Sequence, residues 1–254
     1  MKIVAIGGGE IGRPNKEGGF YPIETRQIDE EIVRLSGKTH PAALLLPTAS
    51  GDSVGYFSTF QRYYGTQLGC KTDVLYLIKE RPSVEEMRRK ILSSDIVYVG
   101  GGNTLRMLKL WRRLGVDKIL EEAGNKGVVL SGLSAGDICW FDYANSDSMR
   151  FGPKKKFKMI MLKGLGFIPL MSCPHYNVEK NRKSSLRKMV QKYGGVSIAL
   201  DNCAAFEVVD EQYRIVTSLK TARAFRIYRH NGKVVEEELS RDGKFRPLEA
   251  LLVK

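Results

Sequence analysis

The feature that most constrains the fold of this chain is a regular alternation of short apolar runs with longer amphipathic ones. Residues 25–37 and 83–94 repeat their apolar positions at helical spacing, whereas the apolar runs have the length of buried strands, as in KIVAIG (2–7), AALLLPTAS (42–50) and DIVYVGGGN (95–103). Such alternation is typical of a largely parallel sheet covered by helices. We therefore expect an α/β fold, a three-layer sandwich with a mostly parallel central sheet flanked by helices.

Local signals at the ends of these segments support the same arrangement. Thr25 stands where a helix N-cap is expected, and Ser83 with Glu86 three residues later forms a capping box. In the C-terminal part, Asn231-Gly232 between the runs AFRIYR and VVEEEL predicts a tight β-hairpin. The sequence has no internal repeat, low-complexity tract or linker, so we expect a single domain over residues 1–254.

Composition limits the class of protein and its setting. Of 254 residues, 43% are hydrophobic and 27% charged, as in globular chains, and no apolar run is long enough for a membrane span. The first residues, MKIVAIGGGE, lack the longer apolar stretch of a secretory signal. The cysteines (Cys70, Cys139, Cys173 and Cys203) lack CxxC spacing, which argues against a zinc site or a disulfide framework and favours a cytoplasmic protein with reduced thiols.

The excess of basic residues bears on binding partners. Lys and Arg number 41 against 28 Asp and Glu, a net charge of +13, which permits binding to nucleic acid or another anionic surface. The basic residues are nevertheless spread along the chain, without an RNA-recognition or zinc-finger motif. A basic surface around a site for a small acidic substrate accounts for the same charge, so we expect neither nucleic-acid binding nor membrane binding.

Glycines follow the first predicted strand in a pattern known from dinucleotide-binding proteins. Residues 7–12, GGGEIG, match G-x-G-x-x-G, but the next helix begins only near residue 25, and a bound pyrophosphate needs a helix that opens directly from the turn. The second strand ends in Leu-Pro-Thr, without an acid for a ribose hydroxyl. We therefore expect no nucleotide cofactor, and interpret these glycines as a place where the backbone closely approaches another element of a site.

A second glycine run, Gly100-Gly101-Gly102, precedes Asn103-Thr104 between a predicted strand and a predicted helix. Glycines at such a turn let backbone N–H groups point into a cleft, where the helix N-terminus adds partial positive charge. An oxyanion hole occupies this place in a serine hydrolase. The alternative is a plain strand-to-helix turn with Thr104 as its cap.

The pentapeptide GLSAG (132–136) places Ser134 between two glycines, where an apolar run meets a possible helix. A strand that turns at once into a helix exposes the side chain at the corner. The tight turn requires small neighbours, which is why activated serines occur in Gly-x-Ser-x-Gly. The alternative is a structural turn with an incidental serine.

A serine hydroxyl needs a base within hydrogen-bond reach, and the chain offers three histidines. Of His40, His175 and His230 we favour His175, because it follows the apolar run FIPLMSC and so lies in a strand-end loop like the other candidates. The residue that orients its ring is left open among three candidates on or after the next predicted strands: Asp201, Asn202 and Glu207.

Four motifs together resemble a known family. GGGNT after a strand, G-x-SAG at the candidate nucleophile, N-S-D-S and CPHYN occur in this order across about residues 95–205, as in the peptidase E and cyanophycinase group of serine peptidases. The resemblance implies a fold similar to class I glutamine amidotransferases, with a serine where those enzymes use cysteine. It also implies hydrolysis of small peptides after an aspartyl residue, and hence a small acidic peptide as substrate, without metal or cofactor.

The resemblance carries catalytic roles over to particular residues. Ser134 matches the nucleophile and His175 matches the base. The backbone of Gly101 or Gly102, together with that of Ala135, matches the donors of the oxyanion hole.

On the substrate side, the resemblance implies contacts from Asn103, Asp147 and Arg182, the last because a guanidinium grips a carboxylate in a bidentate fork. An exposed basic helix face is the alternative for Arg182. At the third triad position the chain departs from the aspartyl dipeptidases, which have a glutamate, and has Asn202 beside Asp201. A homodimer is compatible with the sequence.

Two other functions fit the same sequence. Cys139 is a candidate reactive group of an amidotransferase-like site, but it lies five positions past Ser134 inside a possible helix, where core packing is expected. A non-catalytic protein that binds an anionic polymer on a hydrolase scaffold would account for the net charge of +13 and for the missing glutamate.

Overall fold

The computed structural model describes residues 1–151, 158–179 and 181–252, and its strands form two sheets. The strands are β1 Lys2–Ile6, β2 Ala42–Leu46, β3 Lys71–Val74, β4 Ile96–Val99, β5 Val129–Leu133, β6 Phe141–Ser146, β7 Ile160–Lys163, β8 Ile168–Cys173, β9 Val196–Leu200, β10 Ala204–Val209, β11 Gln212–Thr217, β12 Ala224–His230, β13 Lys233–Glu238 and β14 Arg246–Pro247. The α-helices are α1 Arg26–Leu35, α2 Val54–Phe60, α3 Val84–Leu92, α4 Thr104–Leu114, α5 Val116–Asn125, α6 Ala135–Ile138 and α7 Arg182–Tyr193. A π-helical segment, Gln61–Gln67, continues α2, and short 3-10 turns occupy Thr48–Ser50, Ser148–Phe151 and Leu248–Leu251.

The larger sheet has eight strands in the order β14-β11-β10-β1-β5-β4-β2-β3. From β1 to β3 the neighbours are parallel, as the strand–helix alternation of the N-terminal half predicts. β10, β11 and β14 extend the sheet through antiparallel pairs. The expectation of a mostly parallel central sheet is therefore wrong. The sheet is mixed, because a connection as short as that between β10 and β11 allows only antiparallel pairing.

A second sheet, which the sequence did not lead us to expect, has six strands in the order β13-β12-β9-β8-β6-β7. β6, β8 and β9 are parallel neighbours, and β7, β12 and β13 are joined to them through antiparallel pairs. The C-terminal hairpin is confirmed, since His230 pairs with Lys233 across the turn. Asn231 (φ 46°) and Gly232 (φ 75°) supply the positive φ angles that the favoured two-residue hairpin turn requires.

Buried apolar side chains cover both faces of the larger sheet. On one face, α3 to α6 and the smaller sheet share a cluster that joins Val97 and Phe206 to Phe141 and Ile198. On the other face, α1, α2 and the π-helical segment contribute a second cluster, with members such as Ile28, Ile32, Phe60 and Tyr64. β1, β4 and β5 are parallel and close together, so their carboxyl ends meet at one edge, and the loops that follow them carry the candidate site.

The predicted helix starts are confirmed in part. The Ser83 hydroxyl accepts the Glu86 N–H at 3.2 Å, as a capping residue does. Thr25 is the N-cap residue of α1, as expected, but its side chain makes no cap hydrogen bond. Its hydroxyl instead donates to the buried Asp29 carboxylate at 2.6 Å. Asp29 also accepts the Tyr64 hydroxyl at 2.6 Å. These two bonds partly offset burial, which raises the pKa of Asp29 to about 6.

Candidate active site

Ser134 occupies the corner between β5 and α6. Its backbone has φ 59° and ψ −97°, a conformation that non-glycine residues adopt only where the surrounding structure holds them there. A Cβ atom on Gly132 would lie 2.6 Å from the carbonyl oxygen of Val99, and one on Gly136 would collide with the same oxygen. Only glycine at both positions lets the turn pack against β4, which explains the small residues around this serine.

The side chains of Ser134, His175 and Asn202 form a continuous hydrogen-bonded chain. Ser134 Oγ lies 2.8 Å from His175 Nε2, and His175 Nδ1 lies 2.8 Å from Asn202 Oδ1. The amide oxygen can only accept, so the imidazole proton belongs on Nδ1, and Nε2 is left to accept the serine hydroxyl proton. This is the tautomer that a base for Ser134 needs.

The glycines after β1 lie directly against this chain. The His175 N–H donates to the Gly7 carbonyl at 2.9 Å. A Cβ atom on Gly8 would lie 2.5 Å from His175 Nδ1 and would collide with Asn202 Oδ1. The glycine run therefore serves as the close backbone approach that we expected, and it helps to hold His175 in its own positive-φ conformation of 54°.

Of the three candidates for the orienting residue, only Asn202 contacts the imidazole. Its neighbour Asp201 instead accepts the Arg223 N–H at 3.1 Å, and the Asp201 N–H donates to the Arg223 carbonyl. Glu207 is buried in β10, with its carboxylate 2.9 Å from Arg214 Nε. Neither carboxylate is hydrogen-bonded to the histidine, so an amide stands where a triad acid would stand.

The surroundings of His175 favour its neutral form. Burial lowers the pKa of the imidazole below its ordinary value, and the Arg182 guanidinium lowers it further. The hydrogen bond with Asn202 and the carboxylates of Glu179 and Asp147 act in the opposite direction. An imidazole that is neutral at neutral pH can accept a hydroxyl proton, as a general base must.

The Gly100–Gly102 loop borders the nucleophile. A Cβ atom on Gly101 would lie 3.6 Å from Ser134 Cβ, and the Gly101 N–H donates to the Tyr56 hydroxyl at 3.2 Å. Gly102, with φ 142°, packs against the carbonyl of Ala49 so tightly that a side chain would collide. Ala135 is the first residue of α6, where a backbone N–H has no acceptor within its own helix.

Of the three residues assigned to the substrate side, Asn103 and Arg182 are buried and Asp147 is partly buried. Asn103 is buried and caps α4, with its Oδ1 accepting the Arg106 N–H at 3.0 Å. Arg182 is only 1% exposed, which excludes a solvated helix face. Its guanidinium donates to Glu179 at 2.7 Å and to the Asn145 carbonyl at 2.6 Å, and lies 3.5 Å from Asp147.

A cleft of about 530 Å³ opens over Ser134 and His175. Part of its wall comes from residues 9–14, whose role in a cleft the sequence did not predict, and the Tyr21 N–H supports this wall by donating to the Arg13 carbonyl at 2.9 Å. Among the residues that line the cleft, Arg13 is the one with a permanent positive charge, and its Nε lies 2.7 Å from Glu10. The one signal for this wall was Arg13-Pro14 directly after the glycine run.

Catalysis by the Cys139 thiol has less support from the structure than catalysis by Ser134. Cys139 is fully buried, its thiol faces the Gly136 carbonyl, and burial raises its pKa well above the ordinary value. A thiol in that state is the unreactive form.

Within the described residues, no cluster of His, Cys, Asp or Glu has a metal-binding arrangement. In the same part of the chain, no helix has the length and apolar content to cross a membrane.

Comparison with known proteins identifies the family of this chain. Residues 18–216 match the model of Peptidase family S51. The uncharacterized peptidase YgaJ of Bacillus subtilis (strain 168) is 35% identical over 237 residues, covering 92% of this chain and 95% of that protein. The uncharacterized peptidase Lmo0363 of Listeria monocytogenes serovar 1/2a is 29% identical over 164 residues, covering 64% of this chain and 77% of that protein.

Solved structures show the same fold. The crystal structure of a peptidase from an acI-B1 Actinobacterium aligns with a TM-score of 0.71 at 16% identity, covering 97% of this chain and 96% of that one. A putative peptidase E protein from Listeria monocytogenes EGD-e aligns with a TM-score of 0.57 at 19% identity, covering 94% and 98%. The chain is thus a serine-type peptidase of the peptidase E type. It belongs to peptidase family S51, and the resemblance drawn from its motifs is confirmed.

Proposed function

We propose that this peptidase hydrolyses small peptides after an aspartyl residue, with Ser134 as nucleophile and His175 as general base. The observation that carries the proposal is the 2.8 Å contact between Ser134 Oγ and His175 Nε2, on two residues that both hold positive φ angles. A hydroxyl and an imidazole at hydrogen-bond distance are the minimum arrangement for nucleophilic catalysis by serine.

In the first half of the reaction, His175 Nε2 takes the hydroxyl proton as Ser134 Oγ forms its bond to the carbonyl carbon. The imidazolium then gives this proton to the leaving amine as the peptide C–N bond breaks, which leaves an acyl ester on Ser134. Water attacks the ester with His175 again as base, and Ser134 is regenerated. Asn202 keeps the Nδ1 proton in place throughout, but as a neutral amide it does not stabilise the imidazolium by charge.

The tetrahedral oxyanion needs donors close to Ser134. We assign this role to the Ala135 N–H at the start of α6 and to the Tyr56 hydroxyl, which takes the place expected of the Gly101 or Gly102 N–H. The Tyr56 oxygen accepts the Gly101 N–H, so its own O–H remains as a donor toward the cleft that it lines. Burial raises the pKa of Tyr56 to about 12, which keeps that proton on the hydroxyl.

The preference for an acidic residue is supported by Arg13. It is the arginine in the cleft, and its side chain is 64% exposed while its Nε holds Glu10. A guanidinium can turn from one carboxylate to another without losing its fork geometry. We assign the contact with the substrate carboxylate to Arg13. Arg182 and Asp147 lie 3.5 Å apart, and we assign to them a supporting role, through their charges, on the pKa of His175.

We propose that residues 1–254 form a single domain with a fold of the class I glutamine amidotransferase type. The position of Ser134 at the β5–α6 turn and the buried cluster shared by both sheets support this proposal. A cytoplasmic setting is supported by the four cysteines, all free and buried.

The proposal is tested by hydrolysis of a dipeptide panel that differs only in the first residue, Asp, Asn, Glu or Ala. We expect turnover of the Asp-containing dipeptide by the wild type and a loss of several orders of magnitude in Ser134→Ala. Equal rates for the two proteins would refute the nucleophile, and equal turnover of Asp and Asn substrates would refute the acidic preference alone.

A further inference from the structure

A second cavity, of about 670 Å³, lies between α4 and the loop that leads from β3 to α3. Four basic side chains line it: Arg81, Arg106, Lys109 and Arg113. Its apolar lining consists of Leu77, Ile78, Pro82, Leu110 and Leu114, with Thr48 between them. None of the residues of the candidate active site line this cavity, which we name the basic groove.

Three of the four charges of the basic groove lie along α4, at exposed positions. Arg106, Lys109 and Arg113 follow at spacings of three and four residues on α4, so they project from one face of the helix. Like charges at these spacings destabilise a helix. Among the described residues, none of these three side chains forms an ion pair or a hydrogen bond, whereas the adjacent Arg112 donates to the Lys163 and Gly164 carbonyls at 2.9 and 2.7 Å.

The fourth charge stands on a fixed loop opposite α4. The buried Asp52 carboxylate accepts the N–H groups of Ile78 and Lys79, at 2.5 and 3.0 Å, and so anchors this loop. Arg81 has φ 49°, a left-handed conformation that a residue with a side chain adopts at a cost. The loop therefore places the Arg81 guanidinium in the same groove as the other three positive charges. In the described part of the chain, no carboxylate forms an ion pair with it.

We propose that the basic groove binds a small, multiply charged anion with an apolar portion. Guanidinium groups fit phosphate and carboxylate oxygens through paired hydrogen bonds, and the neutralised charge would relieve the repulsion along α4. The leucine side chains suit the apolar portion of the ligand, and the volume falls within the range of small-molecule sites. Phosphate and carboxylate compounds share this chemistry, so the experiment uses one of each.

The experiment is isothermal titration of the full chain with tripolyphosphate and, separately, with citrate, at fixed ionic strength. The test protein is the double variant Arg106→Gln/Arg113→Gln in the groove. The control is the double variant Arg89→Gln/Lys118→Gln, which removes the same charge from exposed positions of α3 and α5. We expect binding of at least one probe by the wild type and a loss of about tenfold or more for each guanidinium removed, with little change in the control.

Four outcomes distinguish the possibilities. Tighter binding of tripolyphosphate or of citrate identifies the ligand as a phosphate or a carboxylate compound. Equal weakening in both double variants would show attraction by net charge alone and would overturn the proposal, as would the absence of binding to either probe. Arg81→Gln serves as a second groove variant, because it leaves α4 intact, and it should weaken binding as well.

Discussion

Asp137 and Ser172 join the two segments that carry the candidate nucleophile and base. Ser172 Oγ lies 2.5 Å from Asp137 Oδ2, and both residues are fully buried. Asp137 follows Ser134 by three positions and Ser172 precedes His175 by three. The bond therefore ties α6 to the end of β8 beneath the cleft, while Asp137 Oδ1 has no hydrogen-bond partner among the described residues.

The first prediction concerns the pH dependence of stability. Burial raises the pKa of Asp137 to about 8 from an ordinary 3.8, so between these values the unfolded chain loses a proton that the folded chain keeps. The free energy of unfolding should fall as pH rises through this window, by up to about 1.4 kcal/mol per pH unit. Urea unfolding of wild type and Asp137→Asn at pH 5 to 8 measures the difference. Parallel pH dependences in the two proteins would contradict the assignment.

The second prediction concerns the amide beside the histidine. Asn202→Asp places a carboxylate at Nδ1, which raises the pKa of His175, so the acidic limb of the kcat/KM profile should move to higher pH by about one unit. Asn202→Ala should lower kcat/KM by about a hundredfold, because the ring is no longer oriented. Asp201→Asn is the control and should leave the profile in place, since Asp201 bonds to the Arg223 backbone instead. An unchanged kcat/KM profile in Asn202→Asp would contradict the assignment of Asn202 as the residue that orients His175.

The third prediction concerns the glycine run after β1. In Gly8→Ala the new methyl group collides with Asn202 Oδ1 and the imidazole, so kcat should fall by about a hundredfold, the effect of a small misplacement of a catalytic group. Gly18→Ala is the matched control, because Gly18 also has a positive φ, of 82°, but has open space around it. Similar losses in both variants would mean that backbone strain, and not contact with the imidazole, causes the effect.

The fourth prediction concerns the arginine in the cleft. Arg13→Gln should lower kcat/KM for an Asp-containing dipeptide by about tenfold or more while that for the Asn-containing one changes little, because the lost partner is a charge-assisted bond to the carboxylate. Arg89→Gln, on the exposed side of α3, controls for net charge. A selectivity that survives in Arg13→Gln would move the recognition of the acidic residue elsewhere.

Local sequence predicted the parts of the molecule that local chemistry determines. The Ser134 turn and the Asn231-Gly232 hairpin depend on small residues and on positive φ angles within a few positions, so both could be identified from the sequence. The sequence favours His175 because only three histidines exist and this one follows a predicted strand, and the structure places its Nε2 2.8 Å from Ser134 Oγ.

The missed features depend on contacts between distant residues. Asp201 and Asn202 follow β9, and a turn begins at Asn202. Hydrogen bonds of Asp201 with the Arg223 backbone, 22 positions along the chain, hold its carboxylate, and Asn202 is the residue that contacts the imidazole. The pairing of β10 with β1 and the part of the cleft wall formed by residues 9–14 likewise follow from contacts between distant residues, for which the sequence carries only weak signals.

The most direct measurement is labelling of the intact chain by a fluorophosphonate probe, followed by mass mapping of the modified peptide. Such a probe forms a covalent bond only with a hydroxyl whose proton is withdrawn by a base. We expect one modified residue, Ser134, with labelling greatly slowed in His175→Ala. Modification at another residue, or equal labelling with His175 replaced, would contradict the assignment of this pair.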